Sequence, residues 1–168
     1  MADDVSLFVV EVTRFREWVL SGADRGPEAA REALVRITAL YLTGLSLPRT
    51  RDDDLESMSE PLPRRSVYKE IHAAVGSRLP FQFYGEVSNP MMVPPEEPSV
   101  GDLADDIADI FADVDAGFQL YEADRRTEAA REWCFNMRIH WGGHATSAIR
   151  ALHCFLAAKC PEMLSKLD

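Results

Sequence analysis

Apolar residues recur every three or four positions through most of the chain, a spacing that places them on one face of an α-helix. The first such segment covers roughly residues 3 to 21 and ends before Gly22, because glycine commonly follows the last helical turn. A second helix is expected from Pro27, a favourable first helical residue, to Pro48. A third is expected from Ser66 to about Leu79.

Two longer helices are expected in the second half of the chain. Ser99 has the features of an N-cap for a fourth helix that ends near Glu122. The fifth should run from about Thr127 to Lys159, where Pro161 prevents its continuation. No two-residue alternation typical of strands stands out. The sequence therefore predicts an all-α fold, an up-and-down helical bundle of about five helices in a single domain over residues 1–168.

Two segments interrupt the helical pattern. Residues 49–65 are charged, contain prolines and lack core-forming residues, which predicts a mobile loop. Residues 80–98 contain five prolines, which forbid a regular helix, yet they are too apolar for a solvated loop. We expect this long, ordered, proline-rich loop to form a non-helical strap that either covers an end of the core or serves as a lid or docking segment. Its large apolar residues are Phe81, Phe83, Tyr84, Val87, Met91, Met92 and Val93.

The charge balance excludes some partners. The chain has 28 acidic and 18 basic residues and a formal net charge of −10, so it should repel nucleic acid and anionic membranes alike. Neither a positively charged start nor an apolar run of membrane-spanning length is present. The three cysteines lie in apolar helical contexts, as expected of reduced core thiols. These features predict a cytoplasmic protein.

An acidic stripe accompanies the apolar face of the fourth predicted helix. Asp102, Asp106, Asp109 and Asp113 follow one another at spacings of four, three and four, which places them along one flank. Unpaired, such carboxylates repel one another. The positive N-terminal end of a helix favours acids in the first turn, but this does not account for the last two.

A second polar stripe runs along the fifth predicted helix. This stripe lies beside the apolar face and consists of Glu132, Asn136, His140 and Ser147. His144 is expected slightly closer to the core. His140 and His144 are four residues apart, so one helical turn brings both imidazoles within reach of a common ion.

Two adjacent glycines lie between these histidines. Inside a helix, Gly142 and Gly143 would each cost about 1 kcal/mol relative to alanine. Something should compensate, either the close approach of another helix or a ligand that meets the backbone.

The two polar stripes could meet at one edge of the core, because a short turn joins the two helices. Meeting would produce either a structural network of Asp–His hydrogen bonds or a site for a divalent transition metal such as Mn, Fe, Ni or Zn. The adjacent glutamate of the HExxH zinc-protease motif is missing, and so is the Glu-x-x-His pattern of di-iron bundles. Both alternatives stay open.

Several short motifs occur in a fixed order: Arg78-Leu79-Pro80-Phe81, Asp102-Leu103-Ala104-Asp105-Asp106-Ile107-Ala108-Asp109-Ile110, Glu132-Trp133, His140-Trp141-Gly142, His144 and Ala148-Ile149-Arg150-Ala151-Leu152-His153. This series resembles the DUF5063 family of bacterial domains of unknown function. The resemblance covers most of the chain, is densest in its last part, and implies an all-α domain in a bacterial cytoplasm without an assigned activity. Residues 81–89 depart from the family pattern, which is richer there in aromatic and acidic residues.

Three functions fit these features. The first is an interaction or binding module for a protein or small-molecule ligand, and the second is a structural subunit that forms a homodimer through the first two helices. The third is a metal-dependent hydrolase of a phosphorylated small molecule, by analogy with other helical bundles. In that case Asp106, Asp109, His140 and His144 would hold the ion, and Arg150 would meet the negative charge of the substrate. We favour the binding module.

Overall fold

The computed structural model describes residues 4–48, 65–87, 89–94 and 97–165. Over these residues the chain forms six α-helices, a β-hairpin and a terminal 3-10 helix at Pro161–Leu164. The all-α helical bundle is confirmed. The loop predicted at 49–65 lies outside the described residues as far as residue 64. The elements are α1 (Asp4–Ser21), α2 (Gly26–Gly44), α3 (Arg65–Gly76), β1 (Phe83–Glu86), β2 (Ser99–Asp102), α4 (Leu103–Glu122), α5 (Arg126–Ile139) and α6 (Trp141–Lys159).

Helix α4 is the centre of the bundle and packs against α1, α3, α5 and α6. Its apolar face enters the core as its spacing predicts, through Leu103, Ile107, Ile110, Val114 and Phe118. The outer helix α2 packs against α1 and α6. Within the described ranges, no helix is long and apolar enough to span a bilayer.

A close approach between α4 and α5 holds these helices side by side. Trp133 is fully buried, and its indole Nε1 donates a hydrogen bond of 2.9 Å to the Val114 carbonyl oxygen. A Cβ at Gly117 would lie only 2.2 Å from that nitrogen, so glycine provides the space that the indole occupies. The contact aligns the polar edges of α4 and α5 beside the core.

The C-terminal end of α1 is closed by a buried arginine. The Arg78 guanidinium donates to the carbonyl oxygens of Trp18 and Val19, at 3.3 and 3.0 Å, and lies over the Trp18 ring. Because the last carbonyls of a helix have no intrahelical donor, this cation satisfies groups that would otherwise be left unpaired. Burial lowers the pKa of Arg78 below its usual range.

The prediction of one continuous helix from Thr127 to Lys159 is wrong. The chain breaks at His140, whose backbone angles of −144° and −86° are not helical. A Cβ at Gly142 would lie 2.1 Å from the Met137 carbonyl oxygen, so the junction requires glycine there. The close approach expected at the glycines is therefore made by the end of α5, whereas Gly143 has open space around it.

The start of the fourth helix also differs from expectation. Ser99 is not the N-cap, because it belongs to β2, which pairs with β1 in an antiparallel hairpin that the sequence pattern does not reveal. The N-cap is Asp102, which accepts hydrogen bonds from the backbone N–H groups of Ala104 and Asp105. Aspartate and serine are about equally favoured at the N-cap, so residue preference alone does not distinguish Asp102 from Ser99.

Residues 80–87, 89–94 and 97–98 form no helix, and only part of this segment packs against the rest of the protein. Phe81 lies 5.0 Å, centroid to centroid, from the Phe155 ring, and Tyr84 is half-buried. In contrast, Met91 and Val93 are 85% and 91% exposed. Phe81 and Tyr84 thus lie against the rest of the protein, whereas Met91 and Val93 do not. The cysteines are free, but Cys154 is exposed and so is not a core thiol.

Candidate metal-binding site

The acidic edge of α4 and the histidines at the α5–α6 junction face each other. Asp106 and Asp113 are buried, with side chains 8% and 1% exposed, while Asp109 lies between them and is more accessible. The predicted meeting of the two polar stripes is therefore observed. The buried carboxylates form the floor of a cluster whose outer part consists of Asp109, His140 and His144.

His140 is held by the deepest carboxylate. Its Nδ1 lies 2.8 Å from Asp113 Oδ2, while the ring itself is 43% exposed. The backbone N–H of His140 still donates to the Asn136 carbonyl oxygen at the end of α5. The break in the helix thus directs the ring toward α4 without leaving its amide unpaired.

His144 lies on the first turn of α6 and contacts two aspartates. Its Nδ1 is 2.8 Å from Asp106 Oδ1, and its Nε2 is 3.5 Å from Asp109 Oδ2. The rings of His140 and His144 meet edge to face with centroids 4.9 Å apart. The sequence predicts that the two residues are stacked along one uninterrupted helix. The helix is instead broken at His140, but the two rings are still neighbours.

These hydrogen bonds determine which ring nitrogen faces outward. A carboxylate only accepts hydrogen bonds, so Nδ1 of each histidine must carry the proton that it donates to its aspartate. In a neutral imidazole the lone pair is then on Nε2, the other nitrogen. In metal-binding histidines the second ring nitrogen almost always donates a hydrogen bond to a carboxylate, carbonyl or water in this manner. Both rings therefore have the hydrogen-bonding arrangement that is typical of metal-binding histidines.

Asp109 is a third candidate ligand beside the two rings. Asp109, His140 and His144 each offer one ligand atom, and these atoms lie within 4.8 Å of one another. Ligands about 2.1 Å from one ion are roughly 3–3.5 Å apart, so the Asp109–His144 pair already fits. The other ligand atoms would have to move closer by up to roughly 1.5 Å, through side-chain rotation, to reach ligand spacing.

The electrostatics of the cluster follow from burial and from the histidine–aspartate bonds. The hydrogen bond to Asp106 raises the pKa of His144 above its ordinary value of 6.5, against the opposing effect of burial. Loss of solvent raises the pKa of Asp109, partly offset by the charges of His144 and His140. A cation placed among these groups would remove the cost of holding Asp109 ionised at a half-buried position.

The β-hairpin contributes residues that sequence reasoning missed. The Tyr84 hydroxyl donates a 2.5 Å hydrogen bond to Asp106 Oδ2, and burial raises the pKa of this phenol above its usual range. Glu86, two residues on, accepts a short hydrogen bond from Ser147. No local signal marks Tyr84, because its role depends on a strand pairing that the chain pattern does not show.

The other predicted residues lie outside the ligand set. Asp102 caps α4, accepts a 2.8 Å hydrogen bond from Gln82 and approaches His72. Glu132 and Asn136 are buried and bonded to each other at 2.8 Å, which makes them a support beneath the α5–α6 junction.

The exposed Arg150 is not placed to serve this cluster. It is six residues beyond His144, and at about 100° per residue it faces a different side of α6.

Comparisons with known proteins agree with the fold. The crystal structure of protein BF1032 from Bacteroides fragilis superposes with a TM-score of 0.65 at 19% identity and covers 89% of this chain and 90% of that chain. Identity this low supports the fold alone. No curated protein matches. The profile of the domain of unknown function DUF5063 matches residues 2–158. The chain belongs to the DUF5063 family, as its motifs imply.

Proposed function

We propose that this domain is a binding module for a divalent transition-metal ion, held by Asp109 and by the Nε2 atoms of His140 and His144. The observation that carries the proposal is the pair of buried aspartates, each bonded to Nδ1 of one histidine at 2.8 Å. Metal-binding histidines usually have one ring nitrogen bonded in this way, and here a third carboxylate, Asp109, lies 3.5 Å from His144 Nε2.

The ligand types indicate which ions would bind. Two imidazoles and one carboxylate suit Zn, Fe, Ni or Mn better than Ca, which prefers oxygen ligands. Three protein ligands leave at least one coordination position for water or a small molecule, as in open rather than structural zinc sites. Because the ring of His140 is 43% exposed, we expect that open position on the solvent side. The free cysteines are compatible with a reducing bacterial cytoplasm.

An enzymatic function of the same centre has less support. The cationic side chain expected to assist the metal in holding a phosphorylated substrate is not at this site, because Arg150 faces a different side of α6. The acidic residues around the cluster would also repel an anionic substrate. We therefore favour binding over hydrolysis, and turnover of a phosphate ester by the metal-loaded protein would reverse that preference.

The proposal predicts saturable binding of one ion per chain. Protein purified without a histidine tag should be stripped and titrated with Zn, Mn, Ni and Co while binding heat and thermal unfolding are measured. A ligand at 100 times its Kd stabilises the fold by about 2.7 kcal/mol, and for a domain of this size each kcal/mol raises Tm by about 2–4 °C. We thus expect a shift of roughly 5–10 °C.

A matched histidine pair makes the test specific. His140→Ala removes a ligand, whereas His153→Ala removes an exposed histidine further along α6. Losing a group that only supports a metal ligand weakens binding about 10–100-fold. We expect the loss of a ligand in His140→Ala to weaken binding by at least about 100-fold, and His153→Ala to bind as wild type does. Absence of a thermal shift with every ion, or equal losses in the two variants, would contradict the proposal.

A further inference from the structure

The β-hairpin is attached to the metal-site helices at two points. On β1, Tyr84 donates to Asp106 of α4 and Glu86 accepts from Ser147 of α6. These two residues are two positions apart, so both side chains lie on the same face of the strand, the face that covers the cluster. The hairpin is also joined to the start of α4, where the Leu103 N–H donates to the Gln82 carbonyl oxygen at 2.9 Å.

The contact with Asp106 engages the carboxylate that orients a ligand. Tyr84 donates to Oδ2 at 2.5 Å, and His144 donates to Oδ1 at 2.8 Å. With a donor on each oxygen, the carboxylate cannot rotate about its axis without breaking one of the bonds. The direction of the His144 ring is therefore fixed through Asp106 by a residue of the hairpin.

The opposite strand provides space for this contact. Tyr84 pairs with Gly101 across the hairpin, and a Cβ at Gly101 would lie 2.4 Å from the Tyr84 ring. Any side chain at that position would displace the ring from Asp106. At Gly85, the adjacent position of β1, an added Cβ would meet nothing within 4 Å.

We infer that Tyr84 is a positioning residue of the metal centre, which it orients through Asp106 and His144, so that metal occupancy and docking of the hairpin are coupled. This inference rests on the proposed function. Because coupling between two equilibria is reciprocal, a hairpin that favours the metal must itself be held more firmly when the metal is bound. The exposed apolar residues Phe83 and Val100 are carried by this hairpin, so metal loading would also steady the surface that they form.

The first test removes one hydroxyl group. Loss of a partner that orients a metal ligand typically weakens binding 10–100-fold, so Tyr84→Phe should raise the Kd for zinc about tenfold. Tyr121→Phe, at a half-buried tyrosine that packs on Trp133, is the control and should leave the Kd within twofold. At saturating cobalt, the visible absorption bands of Tyr84→Phe should differ from those of wild type, whereas a loss of fold stability alone would leave the spectrum unchanged.

A second pair of variants reaches the same contact from the other strand. Gly101→Ala keeps the Tyr84 hydroxyl but displaces the ring, and should reproduce the tenfold loss. Gly85→Ala, on the same hairpin but in open space, should not. Amide hydrogen exchange of residues 84–86 should slow when zinc is added to wild type, and this slowing should be absent in Tyr84→Phe.

The outcomes separate the two proposals. If wild type binds no metal, the proposed function fails and this inference with it. If wild type binds zinc and both Tyr84→Phe and Gly101→Ala bind within twofold of it, the metal site stands and the role of Tyr84 is refuted. If Tyr84→Phe does not fold, the comparison of Gly101→Ala with Gly85→Ala decides the question by itself.

Discussion

A methyl group added at Gly142 would test whether the break between α5 and α6 builds the candidate site. A Cβ there would lie 2.1 Å from the Met137 carbonyl oxygen, whereas ordinary van der Waals contact begins at 3.4 Å. A backbone oxygen cannot rotate away as a side chain would, so the junction itself must move by about 1 Å. Since His140 lies in that junction, the same movement would separate its ring from Asp113.

The neighbouring glycine supplies the control and the magnitude. Gly143 is exposed with nothing within 4 Å, so Gly143→Ala should be neutral or stabilise by about 0.5 kcal/mol through lower entropy of the unfolded chain. Forced overpacking typically costs about 1–3 kcal/mol, which is the loss that we expect for Gly142→Ala. Urea denaturation measures both free energies of unfolding, and a zinc titration should show weaker binding in Gly142→Ala alone.

Equal stability and equal zinc affinity of Gly142→Ala and Gly143→Ala would refute this prediction. That result would mean that the junction accommodates a side chain at residue 142 and that the position of His140 does not depend on the break. A loss of stability with unchanged zinc affinity would retain the steric effect but separate it from the site.

Three further predictions concern individual side chains. Asp102→Ala should lower the free energy of unfolding by about 1 kcal/mol, the usual loss for an N-cap. Zinc affinity should stay unchanged, because Asp102 caps α4 and is not one of the three proposed ligands. A large loss of zinc affinity would show that Asp102 is itself a ligand. In metal-free protein, the raised pKa of His144 means that its protonated form stabilises the fold, so this contribution is complete below pH 6.5 and disappears as pH rises through the raised value. The difference in free energy of unfolding between wild type and His144→Gln should therefore decrease as pH rises from 6.5 through the raised pKa. A difference that stays constant with pH would contradict the raised pKa of His144. Arg78→Lys should cost about 2 kcal/mol in urea denaturation, because one ammonium cannot reproduce the planar fork that reaches the Trp18 and Val19 carbonyls; an unchanged midpoint would refute this.

The sequence predicts those parts of the molecule that depend on residues close together in the chain. The spacing of Ile107, Ile110 and Val114 places them in the core, and the same spacing places the aspartates beside it. The histidine edge meets them because the two polar stripes flank core faces of helices that pack together. These regularities predict that the two edges meet, but the contact of Asp113 with His140 also depends on the break between α5 and α6.

The break at His140 could not be predicted in this way. The apolar spacing continues on both sides of it, and glycines at 142 and 143 disfavour a helix by only about 1 kcal/mol each, an amount that tertiary packing readily outweighs. The decisive contact is between Gly142 and the Met137 carbonyl oxygen, and it exists only in the folded junction. Before that junction is known, the same two glycines are equally consistent with a close helix or a ligand.

The hairpin was missed for a different reason. Tyr84 and Gly101 are seventeen residues apart in the printed sequence and become neighbours only through strand pairing. The outward face of the hairpin carries Phe83 and Val100, both exposed, so the usual alternation of buried apolar and exposed polar residues is absent. Strands are recognised in a sequence by that alternation, so the two strands of this hairpin could not be predicted.

The aspartates are buried and the histidine rings are partly exposed, and this difference affects how an ion would bind and dissociate. Asp106 and Asp113 are sealed within the bundle, but the outward edges of the rings are at the surface. An ion could therefore be exchanged, or removed by a chelator, while the helices stay packed. A domain built in this way would pass repeatedly between loaded and empty forms without unfolding, and its occupancy would follow the concentration of free metal around it.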